Sequence, residues 1–414
     1  MTLTAQRPHP SEGAVTPEPC QSEPGAANES LRVLIAASTL HIGGAEQVVA
    51  NLGRYLNRAS FDVTACYLKQ NGIVGRQMLE HGVDLVPIPG LKPARDYFTS
   101  LKLLKLIRQR SIQLVHTHDM HGLIDGAVCR TLMPSLRHVH TFHFGNYPER
   151  EPRYARIEGM LWRRPDALVA VGNMQAAAIA SFYGIPRDRI RVIWNGIAPE
   201  PAAVPEDIRQ LVADASVPVI GSVSTLIKQK GLEYLIEAAR LLKAEGHRFL
   251  LMIAGEGVLR PTLEAQAKQA GLEREIKFLG WVPEASKRAL PVCDIFVQSS
   301  LWEAMSVVLL EAMAAGKPIV TTAVGENAHV VENGISGFVV PPRQPQALAE
   351  TLGKLLKDES LRTSFSTAAR SRFEQHFTVE RMIGEHEKLY RELIGTRHSQ
   401  SHSIESASNS PADA

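Results

Sequence analysis

The stretch SSLWEAMSVVLLEAMAAGKPIV, Ser299 to Val320, carries two glutamates, Glu303 and Glu311, eight residues apart in a run that is otherwise almost wholly apolar. A carboxylate taken out of water without a partner is strongly disfavoured, so it is kept only where something binds it. DIFVQSS reads as a buried strand, LWEAM as a loop, and SVVLLEAMAAG as a short helix with Ser306 at its N-cap and Gly316 as its stop. This order puts Glu303 at the carboxyl end of a strand and Glu311 in the second turn of the helix, so both carboxylates border one cleft. Their partner is then a ligand or, in the alternative, an arginine of the other half of the chain.

On either side, short apolar runs alternate with helical patterns, as in a parallel α/β sheet. LRVLIAAST, FDVTACYL, QLVHTH, ALVAVG and IRVIWNG are strands of a first half, and GGAEQVVANLGRYLN is a helix. A second series holds VPVIGSVS, FLLMIAGEG, IKFLG, DIFVQSS, KPIVTTA and GFVVP, with LEYLIEAARLLKAEG helical. Between them, three prolines fall within seven residues, as in a linker. The pattern predicts an α/β protein of two Rossmann-like domains, residues 31–198 and 215–376, joined by a linker at 199–214 and facing each other across a cleft. Residues 377–395 form a C-terminal helix crossing back to the first domain, while 1–30 and 396–414 read as disordered tails.

Composition narrows the function classes. The 414 residues are 44% hydrophobic and 21% charged, ordinary for a globular protein with a sizeable core. A net charge of +2 gives no case for nucleic acid as a bulk electrostatic partner. Cys20, Cys66, Cys129 and Cys293 are scattered, with neither metal-ligand nor disulfide spacing, which favours a cytoplasmic setting. No apolar run reaches the roughly 18–20 residues that span a bilayer, and the N-terminus lacks the apolar core of a signal peptide.

In parallel sheets ligands bind beyond the carboxyl ends of the strands, where loops meet helix N-termini. TLHIGGAEQ, Thr39 to Gln47, offers Gly43 and Gly44, whose missing Cβ atoms let backbone N–H groups approach an anion; a plain tight turn is the alternative. GSVSTLIKQKG, Gly221 to Gly231, carries Lys228 and Lys230 just before a helix, placed to meet phosphate charge or simply to be solvated. It lacks the Gly-Lys-Ser/Thr ending of a Walker loop. Two histidine clusters stand out: His116, His118 and His121 in HTHDMH, and His138, His140 and His143 in RHVHTFHF. Metal binding by them is disfavoured, because strand alternation puts neighbours on opposite faces and no carboxylate-rich motif accompanies them.

HIGGAE, the Lys230-Gly231 loop, GEGVLR, FLGWV and the glutamates eight apart followed by EAMAAGKPIV, in this order along the chain, resemble the family-4 retaining glycosyltransferases of the GT-B fold. The likeness extends to IRVIWNG, ENGISGFVVPP and FEQHFTVERMIGEHEKLYREL. It implies that Glu311 binds the ribose hydroxyls of a nucleotide sugar and that Glu303 lies beside the donor sugar. Backbone N–H groups at Ser306 and Val307 meet its hydroxyls or the diphosphate, and Lys230 neutralises that diphosphate. Gly43 and Gly44 let the first domain close over the diphosphate or the acceptor, and His143, ending HTFH, contacts the donor sugar. The chain departs from the family pattern at Thr225, where relatives carry an arginine, at Ala304 in place of a glycine-flanked loop, and at Ala198, where Asp is common.

The implied activity is transfer of a hexose, with retention, from a nucleoside-diphosphate sugar to a hydroxyl of a glycan or lipid-linked acceptor, in surface polysaccharide or glycolipid synthesis. No metal and no separate cofactor are expected, since no Asp-x-Asp triplet occurs. An epimerase on the same fold and a non-catalytic nucleotide-sugar-binding protein remain as alternatives. A nicotinamide oxidoreductase fits least, because GEGVLR is only a partial dinucleotide fingerprint. In RDYFTSLKLLKLIRQR, Arg95 to Arg110, Leu101, Leu104 and Ile107 face away from the basic residues, a surface for peripheral docking on anionic membrane or a helix face packed on the sheet.

Overall fold

The computed structural model describes residues 30–88, 98–200 and 203–408. The expected tail at 1–29 lies outside them. The first sheet is built from β1 (Leu31–Leu40), β2 (Phe61–Asn71), β3 (Asp84–Pro87), β4 (Leu114–Thr117), β5 (Arg137–Phe142), β6 (Ala167–Ala170) and β7 (Ile190–Val192). Its strands are all parallel, in the order β3-β2-β1-β4-β5-β6-β7. The second sheet holds β8 (Val219–Val223), β9 (Leu250–Ala254), β10 (Ile276–Gly280), β11 (Ile295–Gln298), β12 (Ile319–Thr322) and β13 (Gly337–Val340), parallel in the order β10-β9-β8-β11-β12-β13. Strands buried on both faces need no polar alternation, and β4, β6, β9, β11 and β12 are buried at every residue.

In each sheet the direction of strand addition reverses once, between β1 and β4 and between β8 and β11. Loops on either side of such a reversal diverge and leave a crevice. The loops carrying Gly43 and Gly44, Lys230, and Glu303 all leave strands that flank these two points.

The domains are tied together by the return of the chain. The helix Val379–Ser408 buries Val379, Met382, Ile383, Leu389 and Tyr390 in the same core as Val33, Ile35, Val49 and Leu52 of the first domain. At the crossing, Ile197 N–H donates to Phe377 O (3.1 Å) and Val379 N–H to Ile197 O (3.0 Å). Val171 and Ile197 pack with Met305, Leu309 and Phe377, so one apolar cluster draws on both halves.

Two expectations change and one open alternative is decided. The stretch expected as linker contains the helix Glu206–Ala215, whose Ile208 packs with Val219, Leu250 and Met252; the prolines hid an amphipathic segment. The expected C-terminal tail is helical as far as Ser408, since no helix breaker intervenes before Pro411. Of the two readings of the stripe in Thr99–Gln109, the face packed on the sheet holds for Leu104 and Ile107, which are core, while Leu101 is 54% exposed.

Candidate active site

The loop after β11 is fixed by the loop after β8. Gly231, at φ +57°, turns the chain where a side chain would strike Ser299 O, and so folds the Lys228–Lys230 turn back over β11. Leu301 N–H donates to Gln229 O (2.7 Å) and Ser299 Oγ to Lys230 O (2.9 Å). Lys230 Nζ thereby comes 2.6 Å from Glu303 Oε1. The same oxygen accepts from Ser300 Oγ (2.8 Å) and Gln298 Nε2 (3.4 Å), and Oε2 from Gln229 Nε2 (3.3 Å). Glu303 is thus buried and fully engaged by its own domain. Its cation is Lys230 of the β8 loop in the same domain and not an arginine of the other half.

Ser306 stands at the N-cap of the helix Val307–Ala314, yet its hydroxyl makes no capping bond and instead accepts from Gln298 Nε2 at 2.8 Å. The first N–H groups of this helix are left without a side-chain cap, at the end where the dipole favours an anion. Glu311 lies one turn further along and is half-buried. Burial pushes its carboxyl up to about 7, against the lowering effects of the Ser286 hydroxyl and the Lys287 ammonium. Lys287 is shared with Glu200 (3.1 Å) and Glu284 (2.8 Å). Among the described residues, Glu311 has no ion pair of its own, whereas Glu303 has Lys230.

The first domain approaches this surface through glycines. A Cβ on Gly44 would lie 3.1 Å from Val307 Cγ2. One on Gly145 would overlap the Glu303–Ala304 backbone. His143, two residues before Gly145, is brought to the same crevice, and its Nε2 lies 3.1 Å from His118 Nδ1. Burial pushes the His143 imidazole down to about 4, partly offset by Asp119 and reinforced by His386, so it is neutral at pH 7. Behind it, His116 bonds Tyr390 Oη (2.6 Å) and Thr141 Oγ1 (2.7 Å), which ties the returning C-terminal helix to the back of the site. His138 and His140 share the Thr117 hydroxyl, each at 2.9 Å. Beside them, a cavity of about 280 Å³ opens among Thr39, Glu46, His118, Asp119, Arg150 and Tyr154.

Residues 42–201 match the family described as Glycosyltransferase Family 4, and residues 204–372 the family described as Glycosyl transferases group 1. The chain belongs to this glycosyltransferase family. It is 27% identical over 313 residues to an uncharacterized glycosyltransferase of Methanocaldococcus jannaschii, covering 71% of this chain and 80% of that one. To the amylovoran biosynthesis glycosyltransferase AmsK of Erwinia amylovora it is 29% identical over 290 residues, 67% of this chain and 62% of the relative. The crystal structure of Anabaena HepE in complex with UDP and glucose superposes with a TM-score of 0.78 at 20% identity, over 87% of this chain and 100% of that one, which shows the GT-B fold.

In this glycosyltransferase the departures noted in the sequence are visible in place. Thr225 and Lys228 are exposed on the β8 loop. Ala304 accepts a backbone bond from Glu326 N–H (3.0 Å), and Ala198 packs beside the first-domain core.

Sequence reasoning missed the groups that bring the glycosyltransferase's two domains together. Gly145 and Gly172 carried no motif. Glu326, 1% exposed, was passed over, because it shares the segment between the two apolar strands β12 and β13 with Glu332 and nothing in the sequence marks it as the buried one. Gln229 and Gln298 gave no signal, because an amide is recognisable as a carboxylate ligand only once the loops are folded together.

Proposed function

We propose that this glycosyltransferase moves a hexose from a nucleoside-diphosphate sugar to a hydroxyl of a glycan or lipid-linked acceptor, with retained anomeric configuration. The observation that carries the reading is that the Lys230–Glu303 pair lies beside the uncapped N-terminus of Val307–Ala314, which meets Gly44 of the first domain and carries Glu311 one turn further along. Glu311 accepts from the ribose hydroxyls. The ammonium of Lys230 has three N–H donors; one holds Glu303, and the others meet the diphosphate. The helix N–H groups at Ser306 and Val307 share that charge.

In the transfer, the bond from the anomeric carbon to the diphosphate oxygen breaks and a bond from that carbon to the acceptor oxygen forms on the same face. The acceptor proton passes to the departing diphosphate, whose growing charge is stabilised by Lys230 and the helix N-terminus. Glu303, with Oε1 taken by three donors, orients Lys230 beside the sugar, and the same-face step above needs no covalent intermediate on it. Neutral His143 offers a hydrogen bond to the donor sugar, and closure about Gly43, Gly44 and Gly145 excludes water. The reading places the protein in the cytoplasm; peripheral membrane contact would fall to Phe98 and Leu101, both more than half exposed. No helix among the described residues is long and apolar enough to cross a membrane.

The test is a panel of nucleoside-diphosphate hexoses, beginning with UDP-glucose because HepE was also solved in complex with it, each assayed for diphosphate release with and without oligosaccharide and lipid-linked acceptors. Acceptor-dependent release with an α-to-α product by NMR supports transfer with retention. Interconversion of the donor without any acceptor would replace it with the epimerase reading, and binding without turnover with the non-catalytic one.

A further inference from the structure

Glu326 belongs to the second domain, in the turn that follows β12, but its carboxylate is spent on the first. Its Oε1 accepts from the backbone N–H groups of Met174 and Gln175 (3.2 Å for the latter), in the first turn of the helix Asn173–Tyr183. That helix begins at Gly172, which provides no side-chain cap, so a carboxylate from the other domain does the capping. Gly172 has ordinary extended backbone, and a Cβ there would overlap the Glu326 side chain. The fit is therefore between this glycine and this glutamate.

The same turn holds the loop that carries Glu303. Glu326 N–H donates to Ala304 O at 3.0 Å, and Gly325, at φ +49°, lies where any side chain would strike Glu303 O. From the other side, Gly145 of the first domain presses on the same Glu303–Ala304 backbone. One residue thus touches the loop through its backbone and the opposite domain through its side chain. Its Oε2 is buried and finds no partner among the described residues, so the closed contact is incompletely compensated and opening lets water complete it. Such a contact favours closure without locking it.

We propose that Glu326 is a positioning residue: it latches the second domain to the N-terminus of the helix Asn173–Tyr183 and so sets the Glu303–Ala304 loop against Gly145 when the cleft closes. The claim rests on the reading above that this loop meets the donor, but its test does not need the donor.

The experiment measures the radius of gyration by small-angle scattering, with melting temperature in parallel, for Glu326→Ala, Glu326→Gln, Gly172→Ala and the double variant Gly172→Ala with Glu326→Ala. Glu326→Ala is expected to expand the protein, while Glu326→Gln, whose amide oxygen still accepts both N–H groups, stays as compact as the wild type. Gly172→Ala expands it as well, by collision with Glu326. The double variant is no more expanded than Glu326→Ala alone, because both changes break one contact. An unchanged radius in Glu326→Ala would overturn the latch. So would a Gly172→Ala variant that is silent while Glu326→Ala merely melts earlier, since that marks a residue needed only inside its own domain.

Discussion

Lys230 Nζ lies 2.6 Å from Glu303 Oε1, so the cation assigned to the diphosphate is held in place before any ligand arrives. Breaking a buried pair from one side leaves a charge uncompensated and costs roughly 3–5 kcal/mol. Lys230→Met is therefore expected to lower stability and also to cut transfer by about 10²- to 10³-fold, the usual loss for a donor to developing charge. Lys230→Met combined with Glu303→Leu should recover most of the stability and none of the activity. Urea titration beside a rate measurement separates the two; a double variant as active as wild type contradicts the assignment.

Glu311 makes a prediction with two signs. The folded carboxyl keeps its proton up to about 7, against 4.5 for an unperturbed one. The folded form therefore binds more protons between those values, and stability falls as pH rises through that window, by about 1–3 kcal/mol once fully ionised. Glu311→Gln should raise the melting temperature at pH 8, leave it unchanged near pH 4.5, and weaken donor binding at pH 8. Melting curves at the two pH values check the first half. A variant less stable than wild type at pH 8 would show that the ionised carboxylate has a partner inside the protein.

Closure has its own test at Gly44. A valine there would carry its methyl groups into Val307, because even the Cβ would lie 3.1 Å from Cγ2. Each domain should still fold, and nucleotide binding to the second should persist. Transfer should drop by about a hundredfold, as expected when reacting groups are held about an ångström out of place. Equal activity of Gly44→Val and wild type would mean that the two domains need not approach here.

The histidines behind the site should make the protein acid-sensitive. Burial pushes His143 and His386 down to about 4 and His138 to about 3, and holds His116, His118 and His140 well below the usual value of 6.5. Each folded value lies below the unfolded one, so the stability is fully present above pH 6.5 and is lost as pH falls toward 4. A single such group contributes a loss of roughly 2 kcal/mol by pH 5. The urea midpoint should fall between pH 7 and pH 5, and Tyr390→Phe, which removes one of the two hydrogen-bond partners of His116, should lower it at both.

Much of the fold was legible in the sequence because a parallel sheet writes itself as continuous apolar strands: DIFVQSS and KPIVTTA needed no partner to be recognised. The helix Val307–Ala314 announced its end, since Gly316 takes φ +60°. What could not be read was pairing at a distance. Glu303 was rightly marked as a carboxylate needing a partner, but 73 residues separate it from Lys230, and only the turn at Gly231 brings them together. The helix Glu206–Ala215 was obscured by prolines that, at Pro205, simply precede its first turn. Glu326 shows the reverse limit, a residue whose neighbours give no pattern and whose carboxylate finds its partners, Met174 N–H and Gln175 N–H, only in the other domain.

The central claim is that Glu311 is the carboxylate that holds the donor's nucleotide. Calorimetric titration of the wild type and Glu311→Gln with UDP, GDP and ADP at pH 8 tests it most directly. The account predicts that one diphosphate binds the wild type and binds Glu311→Gln at least about tenfold more weakly, the loss of a charged hydrogen-bond acceptor. Binding of equal strength to both proteins would contradict it.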